Sequence, residues 1–403
     1  MRSDVVTAGI VWGSLAVALV ASALFGLATT YVLAGFALLA LGVLIAQRRR
    51  PWPAGPDAAI FALGFLVLLA AFTITARAPA DVALAINFVA FLAYAPFAAM
   101  YSRLQAPGNA LLIAWLALAG VVLTFLICVI QIYGLGMKRA EGINSDTIRF
   151  AMTAVIGSFI ALIGFISTRS PWRYIFLLAP VLALAVVLLT GTRIAMVTYP
   201  VVALVALLLI VPSRWRLLMI LGLVALLGVV GLIVAQEGHA RFLSIFDSVR
   251  QMLSGERVAD RATRIRLLLY EGAWDAFLAS PLFGHGWAHM MSSVAEFMAP
   301  GTRRHANDLV HLHNDMLTMG VSAGLAGIAV WLAVLIAPLV LVLRSPRDSQ
   351  KPQRVLAISV IFTCYVMMGL TDTMISFEMS TMYYVVLVGA VLHLCRDGTG
   401  ARQ

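Results

Sequence analysis

The sequence predicts an all-α polytopic membrane protein, and three observations predict it. Of its 403 residues, 62% are hydrophobic and only 11% charged, with a mean hydropathy of +0.98, a balance that lipid solvates and water does not. The apolar residues form long continuous runs rather than alternating, which suits helices that satisfy their own backbone in hydrocarbon and excludes a barrel. Basic residues gather in short loops between the runs.

In chain order the runs divide into about twelve spans: 6–24 and 28–46, joined by a turn at 25–28, then 58–76, 83–101, 110–131, 150–167, 174–190, 194–211, 217–235, 315–343, 355–372 and 380–395. An even number puts both termini on one side. With that side cytoplasmic, the inner loops hold most of the short-loop charge, including Arg48, Arg103, Arg169, Arg214, Arg344 and Arg354, whereas the outer short loops hold Arg77, Lys138, Arg139, Arg149 and Arg193. The net charge of +10 is therefore a topology signal and no reason to expect a nucleic-acid partner. Cys128, Cys364 and Cys395 fall within spans or at an inner end, so no disulfide is expected to brace the outer loop.

The chain reads as residues 1–235 with the first nine spans, 236–312 as one large helical periplasmic loop, and 313–403 with the last three spans and a cytoplasmic tail. The loop carries eight Asp or Glu and eight Arg, a near-zero balance that suits a folded unit better than a basic tail. Phe242, Ile245, Phe246, Val249, Met252 and Leu253 recur at helical spacing, with an apolar face for the headgroup layer or for the outer ends of the spans. Ile265, Leu268, Leu269, Ala273, Ala276 and Phe277 form a second amphipathic stretch, and Trp287, Met290, Met291, Val294 and Phe297 a third. Ser280-Pro281 and Gly284-His285-Gly286 punctuate the last two.

Chemistry is expected on the outer side, where the polar groups concentrate. Arginine offers a planar fork that pairs bidentately with phosphate and sheds water more readily than ammonium. Several outer arginines near span ends thus imply an anionic lipid headgroup or a pyrophosphate as ligand. Thr190-Gly191-Thr192-Arg193 lies in a tight outer turn ahead of a helix N-terminus. Lys138 and Arg139 offer a second clamp, with a solvated turn as the ordinary alternative. Arg266 and Tyr270 are four apart and share a helix face, whereas Arg261 suits a plain solvated face.

Six of the seven histidines lie between His239 and His313. His313 sits where the loop meets the next span, which suits a general base, with Asn314 or Asp315 to orient it. The structural alternatives are helix capping by Asn314 or Asp315 and a solvated His311. A metal site on His285 and His289, or on His311 and His313, is a further alternative, against which stand the absence of His-Glu-x-x-His, of paired cysteines and of Asp-x-Asp. A transporter of an anionic solute is the other functional class open to the chain. Span interiors nearly free of charge speak against it, since ion-coupled carriers place ionisable residues there.

These pieces in this order resemble the O-antigen ligase and polymerase superfamily. They are Gly191-Thr192-Arg193, then Arg266-Leu-Leu-Leu-Tyr270, then Ser280-Pro281-Leu282-Phe283-Gly284-His285-Gly286, then His313-Asn314 opening a span with Gly320, Gly324 and Gly327. The resemblance covers roughly 193–331, with Tyr270 where the family usually carries Trp. It implies a fold similar to the GT-C-like membrane glycosyltransferases that use lipid-linked sugars, and transfer without a cofactor or a metal. Among its branches the length and compact single loop favour the ligase that completes lipopolysaccharide, over an O-antigen polymerase or a protein O-oligosaccharyltransferase. The implied partners are an O-antigen polysaccharide on undecaprenyl pyrophosphate, a lipid A-core acceptor and the bilayer of the bacterial inner membrane. The expected machinery is His313 as general base and Arg193 and Arg266 on the pyrophosphate, with Lys138, Arg139, Arg264, His311, Asn314 and Tyr270 as further binding residues.

Overall fold

The computed structural model describes residues 2–49, 55–143, 145–236 and 240–397. His239, counted in the histidine cluster above, lies outside them, as do the side chains of Phe242, Ile245 and Phe246. The described residues are mostly helical and include no strand, as the apolar runs require. The protein is an all-α, polytopic membrane protein.

Nine helical stretches among the described residues are long and apolar enough to cross a membrane. The first of them, Asp4–Ala46, holds α1 (Arg2–Ala16) and α2 (Thr29–Ala46). It reverses at Gly26, whose φ of 52° and ψ of −125° only glycine adopts without strain, and Gly13 then lies under the Phe36 ring. The hairpin expected at 25–28 is therefore present. Next come α3 (Pro56–Thr75), α4 (Ala90–Tyr101), α5 (Asn109–Val129), α6 (Thr147–Ser167), α7 (Leu178–Thr190) and α8 (Arg193–Ile210). Helix α9 (Ser213–Gln236) follows, and the loop contributes α10 (Ala240–Leu253), α11 (Arg261–Ala279) and α12 (Met290–Phe297). The chain closes with α13 (Asp315–Arg344), α14 (Lys351–Gly369) and α15 (Glu378–Gly389), the last extended by a wide turn to Leu394. The gap between nine stretches and the twelve expected spans lies in the hairpin, in α9 and in the short final helix.

Helix α6 is the hub. It packs against α5, α7, α8 and α14 and buries nearly its whole length, which is why Ala151, Ala154, Gly157, Ser158 and Ala161 can serve where close approach leaves no room for larger groups. Helix α13 packs along α3 and α14. Cys128, Cys364 and Cys395 are free and buried in this packing.

The segment after α9 has a small core of its own. Leu269, Ala273 and Ala276 of α11 meet Met290 and Val294 of α12 and Leu312, on top of Val321 at the start of α13. Trp287 plugs this unit into the bundle against Phe72 and Phe88. The turn after α11 is tied in through backbone. Helix α13 is broken at Gly324, with φ 62° and ψ −151°. The groups freed there are matched by the turn: His285 N donates to Val321 O, Gly286 N to Ser322 O, and Leu325 N to Pro281 O. A Cβ on Gly284 would lie 2.6 Å from Ala323 N, and one on Gly324 would lie 2.4 Å from Leu282 C. The glycine-rich sequence thus exists because two backbones touch. Val249, Met252 and Leu253 of α10 remain exposed rather than packed on the spans.

Candidate active site

Site geometry begins at the start of α13. Asn314 caps that helix by accepting from Leu317 N at 2.9 Å, while its amide donates to Leu370 O at 2.9 Å. His313, one residue before, has φ 52°, a left-handed conformation that costs a non-glycine residue on the order of 1–3 kcal/mol and persists only where surroundings impose it. The Tyr270 hydroxyl imposes it in part, donating to the His313 carbonyl at 2.7 Å.

Neither neighbour orients the His313 ring. Asp315 turns into the bundle, where it is fully buried and accepts from Met374 N and Ile375 N at 2.8 and 3.1 Å. The ring instead meets Asp372, in the turn between α14 and α15, with Nδ1 3.1 Å from Oδ1. Burial alone would raise the Asp372 carboxyl, but the His313 hydrogen bond and the charge of Arg149 outweigh it and hold it below its ordinary value. An ionised carboxylate only accepts, so His313 Nδ1 carries a proton, and in the neutral ring the lone pair is then on Nε2. Nε2 makes no hydrogen bond to a described residue.

Arg149 completes the polar cluster. It sits in the first turn of α6, 4% exposed, where the helix dipole disfavours a cation. Carboxylates on both sides compensate: Asp146 at 2.5 Å and Asp372 at 3.7 Å. Its guanidinium also donates to Thr373 O and stacks 3.3 Å over the Phe377 ring. His311 stands edge-on to His313 with centroids 4.4 Å apart. Burial first, and then repulsion from His313 and Arg149, push its imidazole down to about 4, so it is neutral at physiological pH. The donor atoms of His311, His313 and Asp372 lie within 4.8 Å of one another, close enough to share a metal ion. His285 and His289 do not join them: His285 Nε2 lies 2.7 Å from Ala276 O and His289 Nε2 3.0 Å from Asp81 Oδ2.

Beside this cluster opens a cavity of about 800 Å³ at the ends of α6, α7 and α8, lined by Arg139, Gly191, Thr192, Arg193, Arg266, Tyr270 and Thr371 among others. Gly191 makes the turn with φ 60°. Arg139 Nε donates to Thr190 O at 2.8 Å and its Nη2 to Thr147 Oγ1 at 3.1 Å. Arg193 forms a two-pronged pair with Asp260, at 2.8 and 2.9 Å. Arg266 makes no hydrogen bond to a described residue, and its buried Nε is without a partner. Tyr270 and Thr371 link cavity and histidine: the first holds the His313 carbonyl, and the second precedes Asp372.

Of the residues singled out from sequence, the structure brings together Arg139, Arg193, Arg266 and Tyr270 in the cavity, with His313 and His311 beside it. Lys138 is exposed and Arg264 Nη1 points to Val258 O at 3.2 Å; neither lines the cavity. Asn314 spends its amide on the cap and on Leu370 O. Asp372, Arg149 and Asp260 were not among the expected site residues. Asp260 had a legible signal, an Asp three residues before Thr263 at a helix start, where its carboxylate accepts from Thr263 N. Asp372 had none, because its histidine is 59 residues away, and for Arg149 only the pairing with Asp146 three residues before it is local, its contact with Thr373 lying 224 residues away.

A family model described as O-Antigen ligase matches residues 178–332. That stretch runs from α7 through the Arg193 turn, the Arg266 helix and the docked glycine turn to His313 and the broken half of α13. Over those residues the chain is similar to the O-antigen ligase superfamily. No curated protein matches the chain. That similarity supports a transferase in general, in a chain whose apolar helices make it a membrane protein.

Proposed function

We propose that this protein is an O-antigen ligase superfamily member and a ligase, transferring a polysaccharide from undecaprenyl pyrophosphate to a sugar of lipid A-core, with inversion and without a metal, at the periplasmic face of the bacterial inner membrane. The observation that carries this reading is one arrangement: a histidine with Nδ1 engaged by an ionised aspartate and Nε2 free, beside an arginine-lined cavity at the ends of the spans. Such a histidine can take the proton of an acceptor hydroxyl as that oxygen attacks the anomeric carbon. Arg193 and Arg266, with Arg139, would bind the donor pyrophosphate and stabilise charge on it as the glycosidic bond breaks. Arg149 already compensates Asp372 and His313 donates a hydrogen bond to it, which supports a site that works on the protein's own groups. The His311, His313 and Asp372 donors favour the competing reading, in which a divalent ion takes the same carboxylate.

Transfer in liposomes with a defined undecaprenyl-pyrophosphate glycan and lipid A-core is the test. Glycosylated lipid A-core is the expected product; lengthening of the lipid-linked glycan alone would make the protein a polymerase, and modification of an added pilin alone a protein O-oligosaccharyltransferase. Activity should survive EDTA. Loss with EDTA and recovery with Mg²⁺, Mn²⁺ or Zn²⁺ would establish the metal reading instead.

A further inference from the structure

Three consecutive residues at the start of α13 reach three places in the turn between α14 and α15. His313 meets Asp372, and Asn314 donates to Leu370 O. Asp315 takes two backbone amides: its Oδ1 accepts from Met374 N at 2.8 Å and Ile375 N at 3.1 Å, and its Oδ2 from Ile375 N at 3.2 Å. The carbonyls of that turn have other donors, Arg149 Nη2 on Thr373 O, Ser380 Oγ on Met374 O and Thr381 Oγ1 on Ile375 O. Asp315, Met374 and Ile375 are all fully buried, where an unanswered N–H is costly.

Satisfying two amides would by itself make Asp315 a structural residue. Its register goes further. Asp315 is two residues from His313, and Met374 is two from Asp372, so a single residue separates the clamp from the pair on either segment. Asp372 therefore moves with the backbone that Asp315 holds. The clamp also has no slack: a Cβ on Gly369, at the end of α14, would lie 2.7 Å from Asp315 Oδ2, so the carboxylate fills the space a side chain there would need. His313 is itself held at φ 52°, a strained conformation that relaxes once its surroundings stop imposing it.

We propose that Asp315 is a positioning residue: by clamping the amides of Met374 and Ile375 it fixes Asp372 opposite His313 Nδ1, and so aims Nε2 at the acceptor hydroxyl. This rests on the reading of His313 as the general base. Asp315 lines no part of the cavity and acts through Asp372. A displacement of a reacting group by about 1 Å costs up to about 10²-fold in rate, which is the scale of what such a clamp protects.

The test measures transfer in liposomes together with hydrogen exchange across 370–376, using the full-length protein. Asp315→Ala should speed exchange at the Met374 and Ile375 amides and lower turnover by up to about 10²-fold, no more than Asp372→Asn does, while KM for the donor holds. Asp315→Asn, whose carbonyl oxygen can take the place of Oδ1, should recover most of that turnover. In the Asp372→Asn background Asp315→Ala should cost less than about threefold more, because the group it positions is already disabled. Gly369→Ala, which crowds Oδ2 without removing it, is the second variant if Asp315→Ala does not fold; it should lower turnover roughly severalfold, and only where Asp372 is intact. Losses that multiply in the double variant, unchanged exchange or unchanged turnover in Asp315→Ala, or a loss confined to donor KM overturn the inference while leaving His313 the base. No transfer by the wild type, or undiminished transfer by His313→Ala, overturns the underlying reading, and this inference with it.

Discussion

At one end of the bundle His393 lies 2.5 Å by Nε2 from Asp57 Oδ2 and 3.0 Å by Nδ1 from Ser102 Oγ, and the Tyr94 hydroxyl donates to the same carboxylate at 2.6 Å. At the other end His313 lies 3.1 Å by Nδ1 from Asp372 Oδ1 and keeps Nε2 free. Both pairs join a histidine to a buried aspartate across distant parts of the chain. The first saturates the imidazole between α3, α4 and the chain end, and so acts as a latch. The second leaves one nitrogen open beside a cavity. A carboxylate–histidine pair therefore implies chemistry only when the second nitrogen has somewhere to go.

The sharpest way to break this comparison is to remove each ring. His313→Ala should cost roughly 10²- to 10⁴-fold in transfer with little loss of melting temperature, whereas His393→Ala should keep turnover within a few-fold and lower the melting temperature instead. Equal losses of turnover in the two variants would sink the distinction. Next in size is Asp372→Asn, which keeps the shape but lets Nδ1 become the acceptor and puts the proton on Nε2. By analogy with other aspartate-oriented histidines, transfer should fall about a hundredfold or more while donor affinity holds. A loss confined to donor binding would show that Asp372 serves Arg149 rather than His313.

Smaller effects sharpen the structural side. Gly324→Ala places a Cβ against Leu282 at a positive φ, and should destabilise by about 1–3 kcal/mol, seen as an earlier thermal transition; an unchanged transition would mean that the docked turn does not hold α13. The smallest concerns pH. His311 titrates near 6.5 when unfolded and at about 4 in the fold. Between those values the unfolded state binds the extra proton, so stability should decline as pH falls from about 6.5 toward 4 and change no further through this group below that. His311→Gln should flatten this slope in a melting series.

Legibility in the sequence followed range along the chain. The spans came from apolar runs of about twenty residues, each read locally. The hairpin at Gly26, the cap at Asn314 and the shared face of Arg266 and Tyr270 are also local and were readable. Asp372 was visible only as an acid near a span end, because nothing in the chain says that it meets a histidine 59 residues earlier. Asn314 and Asp315 drew the orienting role by adjacency. Adjacency misled because a capping residue points along its helix, and Asp315 answers the backbone of 374 and 375 instead.

By itself the sequence determined the solvent, the helical class, the concentration of polar chemistry on one face and the set of arginines from which the cavity draws, since these follow from composition and short-range spacing. Only the tertiary structure decided which arginine is closed by a carboxylate, which remains open, and which histidine nitrogen is free. Those are statements about pairs of groups brought together by helix packing, and packing is a property of the whole bundle that no window of sequence contains.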